Sequence, residues 1–366
     1  MAVATIKEST AFMVKLAVID CDIHNAPPSN QALAKYMPKR WADYLDGYGL
    51  TPVKRGAWYP KVYPKAARAD SWPTGGGAPG SDLAFLQTQL LDEWGISYGL
   101  LNPLYGVKTH NNAPYAQAVS RALNDWQVAE WLDPEPRLRG SIATPYEAPD
   151  LAAEEIDRCA QDPRFAHILL LIRTSEPLGR RKYWPLYAAA VRNNLPVAIH
   201  FGGAGDGPIT GNGWPSFYYE DHTGMAQAFQ PQVASLVLEG VFEQFPDLRI
   251  ILIEAGFAWM APLMWRLDRS WRLLRNEVPD LRQPPSQYIR KHFWMTTQPV
   301  EEPAQPAHFQ QLLQHIDMDD RFLFATDYPH WDFDSPSQAL PPSLAPELRR
   351  KILAENAAAL YGFYGG

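Results

Sequence analysis

Eight short apolar runs, each followed by a stretch of helical spacing, constrain the fold of this chain more than any other feature. The runs fall at 16–24, 95–103, 138–145, 167–174, 196–203, 249–256, 292–299 and 322–328. They are continuously apolar rather than alternating, which is the pattern of strands covered on both faces, as in parallel sheets. Helices are expected between and after them at 81–94, 113–132, 150–162, 184–194, 231–245, 258–275, 304–316 and 345–361. In the first, Leu83, Leu86, Leu90 and Trp94 recur at helical intervals and Leu91 widens the same face. Strand–helix units repeated in this way make, most simply, an α/β fold of the (β/α)8 TIM-barrel type. A doubly wound open sheet is the alternative, but no glycine-rich phosphate turn follows the first strand.

The stretch 25–80 breaks the alternation. It is dense in Pro, Gly, Tyr and Trp, as in Trp72-Pro-Thr-Gly-Gly-Gly, and carries no long period. Because it leaves the first strand from its C-terminal end, it is read as an irregular insertion capping the barrel mouth, within a single domain spanning 1–366. A decorative or oligomer-contact loop is the plainer reading. The segment 202–224 has a similar composition and is expected to roof the same mouth.

Composition excludes several classes of function. With 46% hydrophobic residues and 12% aromatics the chain can bury a large core, and its formal charge of −7 offers no basic stripe to a nucleic acid. Two cysteines, Cys21 and Cys159, cannot build a disulfide framework and suit a reducing compartment. No apolar run approaches the roughly 18–20 residues needed to cross a bilayer, and the first residues lack a secretory layout. A cytoplasmic protein with no membrane partner is expected.

Polar side chains at the ends of greasy strands are expensive unless paired or bound to metal. Asp22-Ile-His24 ends the first run, and side-chain alternation puts Asp20, Asp22 and His24 on one face. Further strand ends bring His200, Glu254 and Asp327, with His330 three residues beyond. In a barrel all of these would converge on the C-terminal mouth, where active sites lie. Each has a plain structural reading as a hydrogen-bonded strand end or a turn initiator. Their joint appearance points to a metal site.

These residues sit in segments that resemble the amidohydrolase superfamily. The carriers are I-D-C-D-I-H (19–24), V-A-I-H-F (197–201), I-E-A-G-F-A-W (253–259), A-T-D-Y-P-H-W-D (325–332) and the closing I-L-A-E-N-A-A-A-L-Y-G (352–362). The chain is most similar to the amidohydrolase-related branch, which includes aminocarboxymuconate-semialdehyde decarboxylase-like proteins. The resemblance implies metal ligation by Asp22, His24, His200 and Asp327, with Asp327 also handling protons. It breaks at Glu254, where the family often carries a catalytic histidine in an A-H-G context. A carboxylate is not the same electrophile or acid unless its pKa is raised.

If Glu254 and His330 join the other four, three carboxylates and three imidazoles suffice for one or two divalent ions, Zn, Fe or Mn. His330 has an equal claim as a substrate contact or supporting residue, and Glu254, Asp327 and His330 are the candidate catalytic residues. A bound cation lowers the pKa of its water towards ~7. The expectation is therefore a metal-dependent hydrolase of a small organic acid derivative. Non-oxidative decarboxylation is the alternative. A dinuclear Fe/Mn oxygen-activating enzyme, or a degenerate partner subunit of one, is a further one.

The aromatics Trp58, Tyr59, Trp72, Tyr105, Trp214, Tyr218 and Tyr219 suggest a flat substrate. Arg173, His222, Tyr105 and Trp214 are the substrate-binding candidates, with Arg173 equally able to pair with Glu176. Trp259, Trp265 and Trp271 on one helix suggest a homodimer contact or, more plainly, packing on the barrel.

Overall fold

The structure, a computed structural model, describes residues 18–49, 59–104, 112–202 and 208–363. Its strands are β1 (Val18–Ile23), β2 (Ile96–Leu101), β3 (Leu138–Ala143), β4 (Phe165–Leu171), β5 (Val197–His200), β6 (Ile250–Ile253), β7 (Phe293–Thr296) and β8 (Phe322–Leu323). They form one parallel sheet in chain order. The chain beyond β8 returns to β1. Cys21 N–H donates to Phe324 O at 2.9 Å, Asp327 N–H to Asp22 O at 3.1 Å and His24 N–H to Tyr328 O at 2.7 Å. The expected (β/α)8 barrel is the observed fold.

The helices are α1 (Asn30–Ala34), α2 (Lys39–Tyr48), α3 (Leu83–Leu86), α4 (Ala113–Gln127), α5 (Pro149–Cys159), α6 (Trp184–Arg192) and α7 (Tyr218–Thr223). After these come α8 (Ala226–Leu238), α9 (Val241–Gln244), α10 (Met260–Leu274), α11 (Pro285–His292), α12 (Pro306–Ile316), α13 (Pro346–Arg350) and α14 (Asn356–Tyr361). Continuous apolar runs are explained by two covered faces. Along β5, Val197 and Ile199 belong to the main core, while Ala198 joins a second cluster with Leu100, Ile251 and Ile253. Each fully buried aliphatic side chain contributes roughly 1.5–3 kcal/mol.

Three features differ from the sequence expectation. Within 25–80, α1 and α2 are regular helices that bury Leu33 and Leu45. They pack towards α4, with the Trp41 and Tyr44 rings tilted against Tyr115 at 5.4 and 4.6 Å between centroids. Residues 59–80 meet the segment after β8: Arg68 N–H donates to Pro329 O at 3.0 Å and Trp331 N–H to Ala66 O at 2.9 Å. A proline sits inside α8, which begins at Ala226 rather than at Pro231. The unexpected α11 opens on proline at its first position, where a missing N–H costs nothing. Among the described residues, no helix is long and apolar enough to cross a membrane.

Trp259, which precedes α10, and Trp271 on it are half-buried and pack against the core, while Trp265 is 53% exposed. Trp58 and Tyr105 lie outside the described residues.

Candidate metal centre

The ends of β1, β5 and the segment after β8 bring Asp22, His24, His200 and Asp327 together, with one potential ligand atom from each all within 4.8 Å of one another. All four are buried. His24 Nε2 lies 2.8 Å from Asp327 Oδ1 and 3.6 Å from Asp22 Oδ1, and His200 Nε2 lies 3.3 Å from Asp22 Oδ2. Asp22 Oδ2, Asp327 Oδ2 and His200 Nε2 have no hydrogen-bond partner although they are buried. Orphaned polar atoms of this kind are costly in an apolar surround, and a divalent cation among them satisfies all three. The donor set, two carboxylates and two imidazoles, fits such an ion.

Neighbouring groups fix how these side chains point. His24 Nδ1 meets the Asn102 carbonyl at 2.8 Å. A carbonyl only accepts, so Nδ1 carries a proton and Nε2 faces the cluster. His200 is held in the same sense by the Phe201 carbonyl. Asn102 Nδ2 donates to Asp22 Oδ1 at 2.9 Å, and Asn102 Oδ1 lies 2.8 Å from His167 Nε2. His167 Nδ1 in turn lies 3.0 Å from the Tyr361 hydroxyl. Asp20 is drawn away from the cluster: Thr326 donates to it through its hydroxyl at 2.6 Å and its N–H at 3.0 Å.

Electrostatics follow this packing. Burial alone would raise Asp22, but the His24 and His200 imidazoles outweigh it and lower its pKa. Burial likewise opposes ionisation of Asp327, and His330 and His24 together hold it far below the ordinary carboxylate range. Burial pulls His24 down, yet Asp22 and Asp327 push it up to about 9. His167 goes the other way, to about 3, because burial dominates. Cys21 is buried, its thiol is pushed up by desolvation, and it takes no part in the cluster.

A second group stands beside the first. Glu254, Asp327 and His330 also offer ligand atoms within 4.8 Å of one another. Glu254 follows β6 and Asp327 follows β8, both in the left-handed region at φ 58° and 59°. Side chains with a Cβ seldom adopt that backbone, and such outliers cluster at functional sites. Glu301 fixes the turn after Glu254 by accepting from Phe257 and Ala258 N–H at 2.9 Å each.

The remaining candidates make local contacts of their own. His222 Nε2 lies 3.0 Å from Asp332 Oδ2, and its ring sits 5.2 Å from Trp331. Tyr218 packs against both rings, tilted on His222 and edge-on to Trp331, and burial pushes its hydroxyl up to about 12. Trp214 packs on Tyr59, whose hydroxyl donates to Asp221. Arg173 lies just past β4, half-buried, with its N–H donating to Gly202 O. Trp72 and Tyr219 are exposed.

Sequence reasoning missed Asn102, His167, Tyr361 and Trp331. His167 and Asn102 did carry a readable signal, as polar residues within or ending apolar strands.

Among relatives, the gamma-resorcylate decarboxylase of Polaromonas sp. is 28% identical over 312 residues, covering 76% of this chain and 87% of the relative. That of Rhodococcus jostii is 27% identical over 318 residues, covering 78% and 92%. Among solved structures, a 5-carboxyvanillate decarboxylase from Novosphingobium aromaticivorans, solved with manganese, superposes with a TM-score of 0.70 at 18% identity. It covers 94% of this chain and 97% of that one. A dihydroxybenzoic acid decarboxylase from Polaromonas sp., solved with manganese and 2-nitroresorcinol, gives 0.65 at 21% identity, over 96% and 98%. At these identities the solved structures attest the fold.

The relatives correct the expectation of a hydrolase, since these two are named decarboxylases. The physical reason for the misreading is that a cation held by carboxylates and imidazoles polarises a substrate carboxylate as readily as a water. The ligand set therefore does not reveal which bond is cleaved. A family model described as amidohydrolase matches residues 19–363, and the chain belongs to this family of enzymes.

Proposed function

We propose that the chain is a metal-dependent, non-oxidative decarboxylase, a carboxy-lyase, acting on hydroxylated aromatic acids. The observation that carries this reading is the buried convergence of Asp22, His24, His200 and Asp327, with inward atoms left unpartnered. It occurs on a chain whose curated relatives are named gamma-resorcylate decarboxylase. The same four residues are the proposed ligands. Manganese in two of the similar structures favours that element here. A cation held by these four residues would supply Lewis-acid chemistry to the oxygens of a bound substrate. gamma-Resorcylate and 5-carboxyvanillate share a carboxyl group ortho to a phenolic hydroxyl, a bidentate handle, and that arrangement defines the proposed substrate class.

Decarboxylation replaces a ring carbon–carboxylate bond with a carbon–hydrogen bond. The ring carbon keeps the electron pair and takes a proton, and CO2 departs. Asp327 holds the position for that proton. Its Oδ1 lies 2.7 Å from His330 Nδ1, and the His330 side chain is 19% exposed, so His330 connects Asp327 with solvent. Tyr218, His222 and Trp331 supply an aromatic wall for the ring, with Arg173 and Trp214 as further contacts. Residues 59–80 serve as the cap, tethered to the strand-8 end by the Ala67–His330 bridge.

The test is a panel of hydroxybenzoates offered to manganese-loaded protein, with CO2 and the phenol product both quantified. Acids with an ortho hydroxyl should yield CO2 and phenol in equal amounts, and isomers without it should be inert. Absence of CO2 from every member, with metal bound, would overturn the reading.

A further inference from the structure

We propose that the mouth of the barrel holds a second divalent cation, on Glu254, His330 and a shared Asp327. This rests on reading Asp22, His24, His200 and Asp327 as the first metal pocket.

The two groups of donors share one carboxylate, and the sharing is visible atom by atom. Asp327 Oδ1 lies 2.8 Å from His24 Nε2, a member of the first group, and 2.7 Å from His330 Nδ1, a member of the second. Its other oxygen is buried without a partner. One carboxylate engaged from two sides by imidazoles of different groups has the layout of a bridging ligand, with protons standing where cations would. A second link runs in parallel. His200 Nε2 lies 3.3 Å from Asp22 Oδ2 and 3.5 Å from Glu254 Oε2, so one imidazole of the first group touches a carboxylate of each group. The His24 and His330 rings are 4.5 Å apart.

Distance and charge both allow the ion. A cation about 2.1 Å from each ligand spans donor pairs about 4.2 Å apart, so a set within 4.8 Å needs closure of under an ångström. One dication neutralises two of the three carboxylates Asp22, Asp327 and Glu254, and a second cation compensates the third. The backbone agrees, since the two acids of the second group, Glu254 and Asp327, are the ones held in the left-handed region at φ 58° and 59°. Glu254 N–H is anchored there by Thr296 Oγ1 at 3.1 Å. With only oxygen and nitrogen donors, the second ion belongs to the same class as the first, Mn, Fe or Zn. Its ligand His330 is the part-exposed member, which makes this the outer and more readily exchanged ion.

The experiment is a manganese titration of chelator-stripped full-length protein, read by elemental analysis and low-temperature electron paramagnetic resonance. Wild type should take up about two ions per chain and give the spectrum of an exchange-coupled pair, as expected for ions about 3.5–4 Å apart. Glu254→Gln and His330→Gln should each fall to about one ion with an uncoupled signal, with circular dichroism unchanged. Saturation of wild type at one uncoupled ion would overturn the proposal, whatever the variants do. So would two coupled ions in both variants. Failure of the first pocket is distinguishable, because wild type would then bind no manganese at all.

Discussion

Asn102 grips both proposed metal ligands at the end of β1, His24 through its carbonyl and Asp22 through its side chain. Its amide orientation follows from charge: with Nδ2 towards Asp22, Oδ1 is left to face His167. Asn102→Ala should therefore weaken manganese binding roughly 10–100-fold while leaving all first-pocket donors in place. Competition with a coloured chelator measures this, and unchanged affinity would remove Asn102 from the support of the site. Asp327→Asn removes an anionic donor of the proposed metal pocket together with the carboxylate that would handle the transferred proton. Its turnover should drop by roughly 10²–10⁴-fold, measured as kcat for CO2 release at saturating metal.

The pH dependence follows from His24. Its pKa is raised from 6.5 to about 9, so its protonated form stabilises the metal-free fold fully below pH 6.5 and ceases to as pH rises through about 9. A cation must expel that proton. Metal affinity should thus rise with pH up to about 9, with proton release visible by calorimetry in buffers of different ionisation enthalpy. At this scale the residues that the fold brings together, Asp22, His24, His200 and Asp327, were legible as polar groups ending apolar runs. Tyr361 was not, because its contact to His167 spans 194 residues of sequence and nothing local marks it.

At the scale of elements, 25–80 divides into two parts with different roles. The first packs on α4, where Leu33 is fully buried, and Leu33→Ala should cost about 2–5 kcal/mol in chemical denaturation without changing metal content. The second part passes so close to the site that a Cβ on Gly80 would lie 2.1 Å from the His24 carbonyl, with Gly80 at φ +74°. Gly80→Ala should therefore disturb metal binding as well as stability, which a melting curve with and without manganese would separate. The strands were readable because both their faces are buried, and most helices because one face is. The insertion was not: α2 is short and mixed in character, and its aromatic partner Tyr115 lies on another helix.

For the whole molecule, the barrel brings β1, β5, β6 and the segment after β8 to one mouth, which no local pattern could do. The topology was legible from the strand–helix alternation, and the convergence of Asp22, His200 and Asp327 followed from it. The proposed reaction was not legible, since the proposed ligand set would serve hydrolysis and decarboxylation alike, and Glu254 tilted the sequence reading towards the former. The most direct test is to incubate chelator-stripped and manganese-reloaded protein with 2,6-dihydroxybenzoate in deuterated water under argon. The account predicts CO2 release only from the reloaded protein, with one deuterium at the ring carbon that carried the carboxyl group. CO2 release that needs oxygen, or none from the reloaded protein, would contradict it.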